Sequence, residues 1–358
     1  MINNTTSLKV FYNGIPVGIL ALRKDNLCAF EYDAQWLQEG FSVSPVFLPL
    51  KTGVFTSNWQ PFDGLFGVFN DSLPDGWGRL LIDRLLREKG INPATLSPLD
   101  WLSIIGPKTM GALTYKPVQP ISKDTQEKSL SYLEKETQKV LHDEYTANLS
   151  LLIAKGGSSG GARPKVLLNI DGEEWLIKFR NTQDPENIGE TEYKYSQIAR
   201  KAGIIMPETK LFEGKYFGVK RFDRQGNKRI HMHTAAGLLH ADFRLPSLDY
   251  KTLIETTLFL TQDIQEAEKM FRLMAFNVIG NNKDDHAKNF SFIYDNSKWQ
   301  VSPAYDLVPS EGFNGQHTTT VLGQGLPDEK DMLELAKQTG LDLKHAKQII
   351  EQVKNAFI

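Results

Sequence analysis

The sequence predicts an α+β chain in which a small β-sheet subdomain comes first, a second strand-rich stretch follows, and a mostly helical C-terminal lobe ends the chain. Short apolar runs split by the turn dipeptides Asn13-Gly14 and Asp171-Gly172 mark hairpins in the earlier part. Helical periodicity dominates later, over Tyr250 to Ile279 and Asp328 to Phe357. No internal repeat interrupts this order.

Composition narrows the class. A chain of 358 residues suffices for two or three domains with a substantial core. With 41% hydrophobic and 23% charged residues it reads as soluble and globular. A formal net charge of −2 argues against a protein whose main task is to grip nucleic acid by itself. Cys28 is the single cysteine, which excludes an intramolecular disulfide framework and a thiolate metal cage. The His residues include no H-E-x-x-H zinc pattern. Met1 to Ser7 is polar and does not read as a signal peptide, and no apolar run reaches the length of a membrane span. A cytoplasmic protein with no membrane contact is expected.

Taken in order, Leu8 to Leu22 reads as a β-hairpin, since Asn13-Gly14 suits the positive φ values of a two-residue turn. Cys28 to Tyr32 reads as a third strand, and Ser42 to Leu50 as a fourth, broken by Pro45 and Pro49. Asp75 is placed to N-cap a helix Trp77 to Glu88, which keeps Leu80, Leu81, Arg84 and Leu85 on one side and ends at Lys89-Gly90. The glycines and aspartates of Phe62 to Arg79 could cradle a phosphate. No G-K-[ST] or G-x-G-x-x-G follows them, and a buried turn between sheet and helix is the better reading. Next come a helix Pro98 to Ile105, a polar linker Lys116 to Asp124, and an amphipathic helix Ser129 to Leu141 that reads as surface packing.

At Lys155 the character changes to Gly156-Gly157-Ser158-Ser159-Gly160-Gly161-Ala162-Arg163-Pro164-Lys165, followed by a strand Val166 to Ile170 and a hairpin into Trp175 to Phe179. Glycines let backbone N–H groups approach phosphates, and Arg163 and Lys165 add charge, although a plain turn would look the same. The order is more telling: glycine loop, strand, hairpin, then Lys178 in a strand is the layout of a kinase N-lobe. A helix Glu190 to Gly203 follows. Its Glu192 either pairs with Lys178 or simply favours the helix N-terminus. Lys210 to Phe212 and Tyr216 to Arg224 give more strands, and the end of the second is where an adenine-binding hinge would lie.

The densest chemistry is Asn281-Asn282-Lys283-Asp284-Asp285-His286-Ala287-Lys288-Asn289, between a buried helix Met270 to Ile279 and a strand Asn289 to Tyr294. Its polar groups would be costly to bury unpaired, so the turn is expected to line a cleft. Asp284 and Asn289 stand in the frame D-x-x-x-x-N. Kinase catalytic loops use that frame, with Asp as the base for the substrate hydroxyl and Asn on Mg²⁺. Asp306, after a second strand-like run Trp299 to Val301, fits a second metal ligand. Asp/Asn-rich turns also serve merely as caps, so the frame alone does not decide the matter.

The chain as a whole resembles the HipA family, serine/threonine protein kinases of bacterial toxin–antitoxin systems. The marks are Asn70 to Arg79 (N-D-S-L-P-D-G-W-G-R), Met110-Gly111-Ala112-Leu113, Arg221-Phe222-Asp223-Arg224, His233-Thr234-Ala235-Ala236 and Asp284 to Ser291 (D-D-H-A-K-N-F-S). The resemblance implies a protein-kinase-like two-lobed fold with a HipA-type N-terminal subdomain over 1–118, a nucleotide-binding part over 145–224 and a helical C-lobe over 225–358. It implies Asp284 as catalytic base and Asn289 and Asp306 as Mg²⁺ ligands. It implies ATP contacts from Gly160, Gly161, Ala162, Arg163, Lys165, Lys178, Lys220, Phe222, His286 and Lys288. It further implies autophosphorylation at Ser158 or Ser159, although Arg163-Pro164 stands where Gln-Glu is usual in the family. The implied partners are a small helix-turn-helix, HipB-like antitoxin, which would carry any DNA contact, and a protein substrate such as an aminoacyl-tRNA synthetase. Two other readings use the same scaffold: a catalytically silent co-repressor and a small-molecule phosphotransferase.

Overall fold

The computed structural model describes residues 4–122, 127–156 and 160–358. They fall into two compact units, residues 1–189 with 210–231, and residues 190–209 with 232–358.

The first unit opens with the expected hairpin, β1 (Ser7–Tyr12) and β2 (Ile15–Leu22), followed by β3 (Cys28–Tyr32). The fourth strand differs from the expectation. Ser42 to Leu50 makes only an isolated bridge between Ser44 and Leu48, because Pro45 and Pro49 cannot donate to a ladder. A helix α1 (Ala34–Glu39), capped by Asp33, and a short strand β4 (Val54–Thr56) flank that segment. The sheet is completed by β5 (Leu113–Lys116), giving the order β4-β3-β2-β1-β5. Val10, Leu20, Phe30 and Tyr115 alternate inward and pack with Phe69, Leu99 and Leu102. Cys28 belongs to this core, and burial pushes its thiol up to about 12, so it is no nucleophile at neutral pH.

After α2 (Gly67–Asn70), α3 (Gly76–Glu88) and α4 (Pro98–Ile105) come α5 (Leu130–Leu141) and α6 (Leu149–Gly156). α5 is not mere surface packing: Leu133 and Val140 are fully buried in a second core with Trp77, Leu81 and Leu86. That core extends onto a four-stranded sheet of order β6-β7-β9-β8, built from β6 (Lys165–Ile170), β7 (Glu173–Lys178), β8 (Thr209–Phe212) and β9 (Tyr216–Lys220). Between β7 and β8 in the chain runs α7 (Ile188–Lys201), which from Glu190 onward belongs to the second unit.

Two of the sequence marks meet in this unit. Asp223, 1% exposed, accepts from the Gly111 N–H at 2.7 Å and from Arg221 and Arg224 at 2.7 and 2.8 Å. Arg229 donates to the carbonyls of Pro107, Thr109 and Gly111 at 2.7, 2.7 and 3.0 Å. Burial works to raise the Asp223 carboxyl, but the charge and hydrogen bond of Arg221, the Arg224 charge and the Gly111 N–H together outweigh it and hold the group below its ordinary value. Burial, then the like charges of Arg224 and Arg221, pushes Arg229 down to about 10. A hairpin of β10 (Arg224–Gln225) and β11 (Lys228–Arg229) carries Arg224 and Arg229.

The second unit is mostly helical. It contains β12 (His231–Thr234) from Met232 onward, α8 (Ala235–Leu239), β13 (Leu248–Asp249), α9 (Tyr250–Thr261), α10 (Ile264–Ile279), β14 (Ser291–Asp295), β15 (Lys298–Val301), β16 (Thr319–Thr320), α11 (Glu329–Gln338) and α12 (Leu343–Ala356). α10 runs through its centre, with Met270, Phe271, Met274 and Phe276 fully buried among residues of α9, α11 and α12. Thr234, in another of the sequence marks, caps α8 by accepting from the Gly237 N–H at 3.0 Å. The Ala235 N–H then donates to the Phe290 carbonyl at 2.8 Å. Among the described residues no helix is long and apolar enough to cross a membrane.

Candidate active site

α10 ends at Gly280, and Asn281 turns the chain with φ 53°. Asn tolerates this left-handed conformation better than most residues. Asp284 then projects as an exposed side chain, while Asp285 beside it is 0% exposed. The sequence supplied two adjacent carboxylates, and the fold gives them opposite surroundings. Asp285 accepts from the Tyr250 hydroxyl at 2.7 Å, His317 Nδ1 at 2.9 Å, and the N–H groups of Thr318 and Thr319 at 2.9 and 3.2 Å. Burial first, then the Asp285 carboxylate, pushes the Tyr250 phenol well above its ordinary value, which keeps it a proton donor. Tyr250 and His317 were not among the sequence candidates, and no local pattern marks either of them.

The turn closes through a one-turn 3-10 helix, Ala287–Asn289, with the His286 ring accepting from the Lys288 N–H at 3.3 Å. The Asn289 side-chain amide donates to the Asp284 carbonyl at 2.6 Å. Lys288 and His286 both stand beside Phe243, the ammonium 4.0 Å from the ring centroid and the imidazole 6.0 Å from it. Tyr305 donates its hydroxyl to the Lys288 carbonyl at 2.7 Å, and Asp306 follows with φ 55°. The Asp306 carbonyl accepts from Asn282 Nδ2 at 3.3 Å. Asp284, His286, Lys288, Asn289 and Asp306 therefore gather in the second unit, tied by short polar contacts.

The other candidates belong to the first unit. Lys165 and Lys178 face each other across β6 and β7, so both side chains lie on one face of that sheet. The Lys165 ammonium donates to the Gly160 carbonyl. Lys178 lies 5.5 Å from the Phe217 ring centroid, Lys220 pairs with Glu173, and Phe222 is half-buried. Gly160, Gly161 and Ala162 are exposed, and Arg163 pairs with Asp184 at 3.2 Å. Ser158 and Ser159 lie outside the described residues. Glu192, on α7, is 4% exposed and belongs to the second unit.

Asp75 departs from the expectation of a side-chain cap. It sits at the N-cap of α3, but its carboxylate accepts from the Gly161 N–H, and the Trp77 N–H donates to the Gly161 carbonyl at 3.1 Å. Gly76 has φ 41°, and a Cβ there would come 2.6 Å from Ala162 Cα. Asp75-Gly76 is thus shaped to receive the glycine loop.

A family model described as "HipA-like C-terminal domain" matches residues 157–358, and one described as "HipA N-terminal domain" matches residues 8–116. A Sinorhizobium fredii protein named "Putative kinase Y4dM" is 24% identical over 325 residues, spanning 85% of this chain and 77% of its own length. A Haemophilus influenzae protein named "Putative kinase" is 25% identical over 195 residues, 47% of this chain and 57% of its own length. The fold matches the toxin in the Shewanella oneidensis MR-1 complex of HipA, HipB and operator DNA. That match has a TM-score of 0.74 at 21% identity and covers 97% of this chain and 88% of that one. With both family domains in order along it, this chain belongs to the HipA family.

Proposed function

We propose that this protein is a Mg²⁺- and ATP-dependent serine/threonine protein kinase, the toxin of a toxin–antitoxin pair. The observation that carries the reading is the turn Asp284 to Asn289, an exposed carboxylate on a backbone pinned by the Asn of its own frame. Asp284 accepts the proton of an attacking serine hydroxyl and aims its oxygen.

The residues present fit Mg²⁺. Asn289 and Asp306 offer hard oxygen donors, and Mg²⁺ takes one or two carboxylates while substrate phosphates and water complete its octahedron. The Asn289 amide nitrogen is committed to the Asp284 carbonyl, which leaves its Oδ1 as the ligand atom. Bound Mg²⁺ supplies charge neutralisation on the triphosphate.

Lys165 and Lys178 supply the phosphate contact. The two lysines pair across the ladder and stand on one face of the sheet, where a polyphosphate can meet two cations. Gly160, Gly161, Ala162 and Arg163 take the phosphates from the loop, Lys220 and Phe222 hold the adenine, and His286 and Lys288 hold the phosphates from the catalytic turn. Ser158 or Ser159 takes a phosphate in an autoinhibitory step. A HipB-like helix-turn-helix antitoxin is the partner, and a translation enzyme such as an aminoacyl-tRNA synthetase is the substrate.

The test is transfer of labelled phosphate from γ-labelled ATP, with Mg²⁺, to the purified protein and to proteins of a lysate. Transfer by wild type and none by Asp284→Asn is expected, with label on Ser158 or Ser159 by peptide mass spectrometry. A wild type without transfer to any protein overturns the reading.

A further inference from the structure

We propose that Tyr250, Asn277, Asn282 and Asp285 form a buried positioning chain that sets Asp306 relative to Asp284, an inference that rests on the kinase reading above. The chain is continuous. Asn282 Nδ2 donates to the Asp306 carbonyl at 3.3 Å and to Asn277 Oδ1 at 2.9 Å. Asn277 Nδ2 donates to the Tyr250 hydroxyl at 2.9 Å, which in turn donates to Asp285 at 2.7 Å. All four side chains are at most 2% exposed. One end is peptide-bonded to the proposed base, and the other holds the backbone of a proposed metal ligand.

Each link has one workable orientation. Reversing the Asn282 amide would set its Oδ1 against Asn277 Oδ1 and the Asp306 carbonyl, acceptor against acceptor. In the orientation observed, Asn282 Oδ1 is buried with no partner. Leaving a buried acceptor unsatisfied is unfavourable, so stability alone would not select an amide at this core position. Asp306 also holds a left-handed backbone, a conformation that is uncommon for a residue with a Cβ. The bond from Asn282 to its carbonyl is one contact that keeps that conformation, and with it the direction of the Asp306 carboxylate.

The chain therefore does for Asp306 what outer-shell partners do for metal ligands generally, where their loss lowers metal affinity or activity by about 10–100-fold. The test uses Tyr250→Phe, which keeps the ring packed edge-on to Phe290 at 5.5 Å, together with Asn282→Ala and the double variant. Mn²⁺ binding to the protein with a non-hydrolysable ATP analogue is followed by electron paramagnetic resonance. Nucleotide affinity without metal and thermal melting are measured alongside. Each single variant should weaken Mn²⁺ about tenfold or more, with metal-free nucleotide affinity unchanged. The double variant should lose little beyond the worse single one, because both substitutions break one chain.

Variants that melt earlier but bind Mn²⁺ like wild type, or losses that simply add, overturn the positioning role. If Tyr250→Phe does not fold, Asn282→Ala alone decides by the same Mn²⁺ measurement. A wild type that binds no Mn²⁺–nucleotide overturns the kinase reading and this inference together. Wild-type binding with unaffected variants overturns this inference alone.

Discussion

The side-chain amide of Asn289 donates to the backbone carbonyl of Asp284 at 2.6 Å, so the last residue of the D-x-x-x-x-N frame pins the first. The contact explains why the position takes an amide. A carboxylate could still offer oxygen to a metal, but it would set an acceptor against the Asp284 carbonyl. Asn289→Asp is therefore expected to weaken Mg²⁺–ATP binding despite its added negative charge. Loss of that hydrogen bond alone is worth about 1 kcal/mol. Calorimetric titration with Mg²⁺–ATP showing wild-type or tighter affinity would contradict the assignment.

The two neighbouring aspartates should separate cleanly. Asp284→Asn is expected to melt like wild type, because surface substitutions stay within about 0.5 kcal/mol, while phosphotransfer falls by at least ~100-fold. Asp285→Ala strands Tyr250, His317 and two backbone N–H groups, and removing one partner of a buried charged network costs about 3–5 kcal/mol. Denaturant titration checks it, with a lower midpoint and an unchanged slope expected for Asp285→Ala.

Asp223 links the first unit to pH. Its folded carboxyl titrates below the ordinary 3.8, so it contributes stability that is present above that value. The contribution is lost as pH falls through the lower folded value, because the unfolded chain takes up the proton first. The expected signature is a melting temperature that drops on acidification below about pH 4, where a free Asp carboxyl begins to protonate. In Asp223→Asn the low-pH drop should be shallower from a lower starting stability. An identical acid profile in both proteins would remove Asp223 from this role.

Lys178→Ala should bind ATP more weakly while the four-stranded sheet survives. Deleting the Lys178 side chain removes a phosphate contact but leaves the backbone ladder of the sheet intact. Equilibrium binding of a fluorescent ATP analogue together with circular dichroism would check both halves. Unchanged affinity with an intact spectrum would place the phosphates elsewhere.

Much of the secondary structure was legible because its causes are local. Asn13-Gly14 set the first hairpin, the period of Pro98–Ile105 set that helix, and the apolar face of Met270 to Ile279 announced a central helix. Ser42 to Leu50 misled because β propensity cannot report that two prolines remove the ladder donors of a strand in which they sit. α1 and α6, 6 and 8 residues long, passed unnoticed.

What the sequence by itself determined is the list of chemical parts: a D-x-x-x-x-N frame, a second aspartate at 306, a lysine in a strand, and a set of marks in HipA order. What only the tertiary structure decided is which of two adjacent carboxylates is buried, that Asp75 turns to Gly161 rather than capping its own helix, and that Asn282 reaches Asp306. The physical reason is range. Periodicity and turn chemistry act over a few residues. Burial and hydrogen-bond partnership are set by groups such as Tyr250 and His317, which stand 35 and 32 positions from Asp285 along the chain and meet it only when the unit folds.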